Sequence, residues 1–499
     1  MAIDLDWCAK KSNINLFFET SLLILAVLKK ILHFNILIMS SRKKQGHPKG
    51  LYLLFFTEMW ERFSYYGMRG ILILYLTKSF LEGGLAIDAQ QASLIYGFFT
   101  GFVYFTPIIG GWLADKFLGQ RNAVTIGGFT MMAGQLMLFA VNNYVGLYIG
   151  LFLIIIGNGF FKPNISTLVG GLYEDGDDRR DAAFSIFYMG INLGAFMAPL
   201  VVGFLTDNLF AANKVNEFGE VVMSYGYRYG FLAAAIGMFI GQMLFNMLGN
   251  KYLGEIGVKP GGSVVNGMTA EELAVNNKKP LTKEEKDRII VIFVIFVFAI
   301  FFWAGFEQAG SSLSLYTDKY IDRTVFGFEI PTPWFQSVNP LFIVSFAPLF
   351  GMLWVSKFGK KLTTPIKMGT GMIVLGLGFF FMLGAVAERG GDVADVNIKA
   401  SLIWLVLTYL LHTLGELCLS PVGLSVVTKL SPPRYASLLM GVWLLSSFVA
   451  NIIGGFLASS VEAMGAGKIF LYVALFVMLC GIVMIALNKK LVRMMHGVR

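Results

Sequence analysis

Between residues 51 and 488 the chain passes twelve times through a mainly apolar stretch, each long enough for a bilayer crossing of about 20 helical residues. The stretches lie at roughly 51–77, 89–114, 122–141, 144–173, 182–206, 229–249, 289–317, 333–356, 365–386, 400–428, 435–461 and 467–488. Backbone in hydrocarbon must satisfy its own hydrogen bonds, so each stretch reads as a helix and the chain as an all-α membrane protein. Charged residues make up 14% of the chain, against about 25% in a soluble domain. The net charge of +9 would suggest nucleic acid only if the cations formed a patch on a soluble domain. They are spread through the loops instead, so the bilayer is the expected partner and nucleic acid is not.

The one long polar interval, 250–288, carries the breaker Pro260-Gly261-Gly262 and divides the spans into six and six. An N-terminal bundle over 47–249, a cytoplasmic linker over 250–288 and a C-terminal bundle with a tail over 289–499 are therefore expected. An exposed helix is expected over 270–287. Basic residues set the orientation. The segments 41–50, 115–121, 174–181, 249–288, 357–367, 429–434 and 489–499 hold 25 Lys/Arg, and the opposite side holds 8. Both ends of the twelve-span core therefore face the cytoplasm. A weak repeat supports the halves: Gly110–Arg121 after the second span resembles Gly351–Lys361 after the eighth. Two related bundles are a common transporter plan, with the site at their interface.

Residues 1–46 form an extension whose apolar part, 15–38, is interrupted by Glu19, Lys29, Lys30 and His33. An interfacial helix fits it better than a thirteenth span. A natural start at Met39 is favoured over both. Cys8, Cys418 and Cys480 lie far apart and imply neither a disulfide framework nor a metal site.

Seven ionisable residues remain inside spans: Arg62, Arg69 and Lys162, with Glu58, Glu61, Glu307 and Glu416. At about 2.5–3.5 kcal/mol each, they must pair or line a wet cavity. Five polar positions of the first span, Glu58, Glu61, Arg62, Tyr65 and Arg69, follow helical spacing and share one face. A carboxylate that can be neutralised beside a cation is what proton coupling requires. His412, one turn before Glu416, is read as a structural hydrogen-bonder rather than a tuner of that carboxyl.

The run Glu58-x-x-Glu61-Arg62-Phe63-x-Tyr65-Tyr66-Gly67 resembles the signature of the proton-dependent oligopeptide transporter (POT) family, within the major facilitator superfamily. Gly157–Asn164, Phe184–Ala195, Trp303–Gln308, Asn339-Pro340 and Glu416–Gly423 extend the resemblance over about 47–495. It implies a major facilitator fold of two six-helix bundles in the plasma membrane, the inner membrane if bacterial. It also implies symport of protons with di- and tripeptides, driven by the proton gradient without a cofactor, and a monomer as the working unit. The resemblance assigns proton coupling to Glu58, Glu61, Arg62 and Glu307. It assigns the peptide carboxylate to Arg62, Tyr66 and Lys162, and the peptide amine to Asn192, Asn339 and Glu416. Tyr65, Tyr104, Asn164, Trp303 and Trp443 would line the pocket, and Arg69–Glu307 and Lys162–Glu416 would be gating salt bridges. The polar 250–288 segment is too short for the two extra helices that many bacterial members carry between the halves.

Other classes fit less well. Four histidines spread over 33, 47, 412 and 496 do not make a membrane enzyme's cluster, and no phosphate-cradling Gly-rich loop suggests an ATP-driven pump. A passive channel leaves the opposed charges unexplained. The same fold carrying nitrate or another small anion or organic solute is the alternative, and it leaves Glu416 without a task.

Overall fold

The computed structural model describes residues 46–174, 177, 179–260, 280–393, 395–432 and 435–498. The expectations for the extension, and for a helix over 270–279, lie outside the described residues. Six long helices form the N-terminal half: α1 (Lys49–Thr77), α2 (Ala89–Leu113), α3 (Gln120–Ala140), α4 (Tyr144–Gly170), α5 (Arg179–Phe204) and α6 (Tyr227–Leu253). The C-terminal half begins with α7 (Lys283–Phe306), which breaks and resumes as α8 (Ser312–Tyr320). It continues with α9 (Val338–Val355), α10 (Thr364–Glu388), α11 (Leu402–Leu430), α12 (Ala436–Ser459), the short α13 (Val461–Met464), α14 (Ala466–Ala486) and α15 (Asn488–Met494). Two hairpins on the outer side depart from the all-helical expectation: β1 (Ala212–Val215) with β2 (Val221–Ser224), and β3 (Thr324–Val325) with β4 (Phe328–Glu329).

Eleven helical segments among the described residues are long and apolar enough to cross a membrane. The remaining span, α1, is the first in the chain; it carries Glu58, Glu61, Arg62 and Arg69, and all four are buried. It is enclosed between α5 and α6 and touches α2 and α4, so its charges face protein rather than lipid. Local signals start several helices. Asp88 accepts from the Gln91 amide, Asn143 accepts from that of Gly146, and Thr282 with Glu285 forms a capping box.

Each half buries its own apolar core, centred on α1 in one and on α10 in the other. The halves also share a packing device. A Cβ on Gly127 of α3 would lie 2.6 Å from the Gly157 carbonyl of α4, and one on Gly371 of α10 would lie 2.6 Å from the Gly415 carbonyl of α11. Such backbone contact stands in for the hydrophobic drive that is missing in lipid. The same device at the third–fourth and ninth–tenth spans agrees with an internal repeat.

The bundles meet along their outer halves, where α2 lies against α12 and α5 against α9. The Ser337 hydroxyl donates to the Phe196 carbonyl at 2.7 Å, and the Trp334 indole donates to that of Leu200 at 3.0 Å. Toward the Lys/Arg-rich side, α5 exposes Phe184 and Tyr188, and α9 exposes Leu349 and Met352. The interface is shut outside and open inside.

Candidate functional site at the bundle interface

Arg62 is clamped on its own helix. Its Nε lies 3.0 Å from Glu58 Oε1 and also bonds Glu61 Oε2, and all three side chains are at most 5% exposed. Asn158 of α4 donates to Glu61 at 3.4 Å. One Glu58 oxygen and one Arg62 nitrogen are buried without a partner. An unsatisfied charged atom at this depth is costly and readily takes a proton or an anion.

One and two turns outward the chemistry crosses the interface. Arg69 bonds Glu307 of the other half through Nη2 and donates through Nε to the Tyr96 hydroxyl at 2.7 Å. The break in the seventh span makes this possible. Residues 307–310 form a 3-10 turn, and Gln308 bridges the Ala304 and Gly454 carbonyls at 3.0 Å each. Gly310 then sits against Tyr96 and Arg69, where a Cβ would lie 1.9 Å from the tyrosine oxygen.

Opposite Arg62, Asn339 of α9 donates to Glu416 of α11 at 2.9 Å and to the Thr413 hydroxyl at 3.0 Å. Tyr66 lies between these groups, with the Arg69 guanidinium 5.9 Å from its ring centroid. Lys162 rests 4.0 Å above the Tyr104 ring and feels both Glu61 and Glu58.

The structure thus brings together Glu58, Glu61, Arg62, Tyr66, Lys162 and Tyr104 on one bundle, and Asn339 with Glu416 on the other. Arg69 and Glu307 join the two. The expected Lys162–Glu416 bridge is not formed: no carboxylate of the described residues lies within 4.0 Å of Lys162, and Glu416 is held by Asn339 within its own bundle. The inward opening keeps α4 and α11 apart. Tyr65 departs from the pocket reading too. It is 2% exposed and lies against Tyr66 and Phe99, because its direction on α1 points into the N-terminal core. Asn164 and Asn192 return their amides to the Phe160 and Tyr188 carbonyls of their own helices, so neither joins the Asn339–Glu416 pair. Trp303 is half-buried beside Phe302 and Phe306, and Trp443 packs on Gly423. His412 is buried with its Nε2 unpartnered and its ring 4.7 Å from that of Phe379, so it packs and does not hydrogen-bond through that atom.

Sequence reasoning missed Tyr96, which reads as one more aromatic of an apolar span. It also missed an outer charge cluster. Lys78, counted as a loop cation, lies 2.8 Å from Asp318, which has Arg323 on its other side at 3.8 Å. We expect Lys78→Glu to weaken outer closure by about 1.5–3 kcal/mol, the value of a hydrogen bond to a charged group, and to lower uptake by at least about tenfold. Lys78→Glu with Asp318→Lys is expected to recover most of it, and a double variant no better than the single one would discard the latch. At the inner mouth, side-chain hydrogen bonding from Arg179 holds Asp177 down to about 2, so this contact stays ionic throughout the physiological range.

Two bundles around buried, opposed charges, closed on one side and open on the other, define a membrane transporter of the major facilitator type. The chain belongs to the POT family, whose sequence model matches residues 121–271 and 263–472. It is 38% identical to the uncharacterized transporter YclF of Bacillus subtilis, over 91% of this chain and 96% of that one. It is 34% identical to the peptide transporter YePEPT of Yersinia enterocolitica, again over 91% and 96%. Among solved structures, a mutant of peptide transporter POT in complex with alafosfalin superposes with a TM-score of 0.78 at 38% identity, covering 91% of this chain and 97% of the other.

Proposed function

We propose that this protein imports di- and tripeptides together with protons, by alternating access across the plasma membrane. The observation that carries this reading is the division of charge across the inward opening. The N-terminal bundle presents Arg62 and Lys162, and the C-terminal bundle presents Glu416 held by Asn339. A peptide always offers a carboxylate and an ammonium, so such a site grips its ends and leaves its side chains to adaptable walls. Relatives named as peptide transporters, and an alafosfalin-bound neighbour, support the same substrate class.

Proton coupling follows from competition for Arg62. With Glu58 and Glu61 ionised, the guanidinium is occupied; protonating one carboxyl releases part of it to the peptide carboxylate. Loading would then let Arg69 and Glu307 exchange partners and the outer side open. The monomer is proposed as the working unit, since both halves of the site lie in one chain.

Dialanine uptake into proteoliposomes, with and without an inward proton gradient, tests the reading. Gradient-stimulated uptake that a tripeptide blocks and nitrate does not is expected. Nitrate competition without peptide competition would move the protein to the anion-carrying alternative. Glu416→Gln is further expected to raise the KM for dialanine at least about tenfold, since it removes one charged hydrogen bond of about 1.5–3 kcal/mol. N-acetylated dialanine, which lacks the ammonium, should bind native and variant protein alike. Equal weakening of both ligands would remove Glu416 from amine recognition.

A further inference from the structure

The two bundles differ sharply in the charge of their cytoplasmic ends. The inward segments of the C-terminal bundle, 357–367, 429–434 and 489–499, hold ten Lys/Arg and no Asp or Glu. Their N-terminal counterparts 41–50, 115–121 and 174–181 hold eight Lys/Arg against six Asp and Glu. Orientation in the membrane requires an excess of cations inside but does not require that one half hold nearly all of it.

The fold gathers part of this charge. The Thr363 hydroxyl bonds Asn488, joining the loop after α9 to the start of α15. Lys360 and Lys361 lie within three residues of Thr363, Lys489 and Lys490 lie within two of Asn488, and all four are exposed. α15 is held from below by Leu491 and Met495, 3% and 1% exposed, so it is a fixed element rather than a loose tail. The Lys/Arg near it, among the described residues, have few competing acids. Arg288 pairs with Glu284 on α7, and Asp287 is taken by His496.

An apolar wall continues this surface toward the bilayer centre. Leu479 and Ile482 of α14 are 57% and 54% exposed below Lys489, and Leu475 and Phe476 continue the flank at 51% and 47%. Cations at the interface above an exposed apolar flank match both parts of one molecule, an anionic headgroup and its acyl chains. Clustered lysines next to a membrane surface attract acidic lipid, and the attraction fades within a Debye length.

The geometry points to a binding site for anionic phospholipid headgroups on the cytoplasmic end of the C-terminal bundle, formed where the Ser356–Thr363 loop meets α15. The occupant is a bilayer lipid and not free phosphate, because the exposed apolar flank of α14 runs from Ile482 and Leu479 on to Phe476 and Leu475, away from the lysines and into the depth of the membrane. Lipid held there would weight one bundle against the membrane plane while the other moves.

The test uses the full chain in detergent with mixed phosphatidylglycerol and phosphatidylcholine, read by native mass spectrometry as retained lipid. Preferential retention of phosphatidylglycerol is expected. The combined variant Lys360→Gln, Lys361→Gln, Lys489→Gln and Lys490→Gln should lose that preference by about tenfold or more, since each lysine near a surface contributes roughly fivefold. Lys116→Gln with Lys251→Gln, on the N-terminal bundle, should leave it unchanged. These are surface positions, and a melting curve of each variant in phosphatidylcholine alone checks that the fold persists. Undiminished preference in the fourfold variant, or equal loss in the control, would overturn the site. Displacement of the lipid by inorganic phosphate at constant ionic strength would overturn the lipid assignment.

Discussion

Glu61→Gln is expected to lower gradient-driven dialanine uptake by about a hundredfold, some 2.7 kcal/mol in coupling, while peptide exchange without a gradient stays measurable. Glu61 is fully enclosed, bonds Arg62 and accepts from Asn158 at 3.4 Å. Glutamine fills the same volume and retains one carbonyl acceptor for those donors, but it cannot carry a proton. It therefore mimics the neutral carboxyl permanently, leaving part of Arg62 to the peptide at all times while Glu58 keeps its own contact. Glu58→Gln provides the comparison, since Glu58 shares Arg62 at 3.0 Å and keeps one oxygen unpartnered. Whichever variant separates driven uptake from exchange identifies the proton carrier. If both variants lose driven uptake and exchange equally, the pair serves folding or substrate binding and the coupling scheme is wrong.

Gly97→Leu should impair transport about as severely by a different route. The outer closure rests on α2 crossing α12, where a Cβ on Gly97 would lie 2.6 Å from the Gly455 Cα and 2.9 Å from the Asn451 carbonyl. Both obstacles are backbone, so no rotamer change relieves them. A leucine must push the outer halves apart, at an overpacking cost of about 1–3 kcal/mol borne only by the outward-closed state. That shifts the conformational balance roughly 5–150-fold toward outward-open forms. Spin labels placed at Ala89 and Val461, near the outer ends of α2 and α13, should report a longer separation, with uptake lost and the protein still monodisperse. Gly455→Leu should reproduce the effect from the opposite helix. An unchanged distance with normal uptake would show that the crossing is not needed for closure.

Much of the fold was legible because the bilayer imposes one rule on every segment. Span positions agree with the helices to within several residues, since an apolar run of fixed minimum length leaves little else to form. The seventh span was the exception. Its apolar run masks a helix break at Glu307–Ser311, because Gln308 and neighbouring carbonyls satisfy the freed backbone within the protein. The first span was legible for the opposite reason: four charges in apolar sequence need a cause, and burial between α5 and α6 supplies it.

The site was legible as a set of residues and not as a set of contacts. Glu58 with Arg62 could be read from one helical turn, being i and i+4. Arg69 with Glu307, separated by 238 residues, depends on how two helices of different bundles are rotated. Hydropathy carries no information on that rotation. For the same reason the sequence does not distinguish Tyr96 from other span aromatics, a Tyr65 ring in the core from one in the pocket, or a Lys162–Glu416 pair that is formed from one held apart. The amino-acid sequence alone determined a twelve-span helical chain and the seven charges inside its spans, because transfer into lipid costs each residue individually. Only the tertiary structure decided which charges meet, where the seventh helix breaks and which side is shut, because those depend on distances between helices that no single segment encodes.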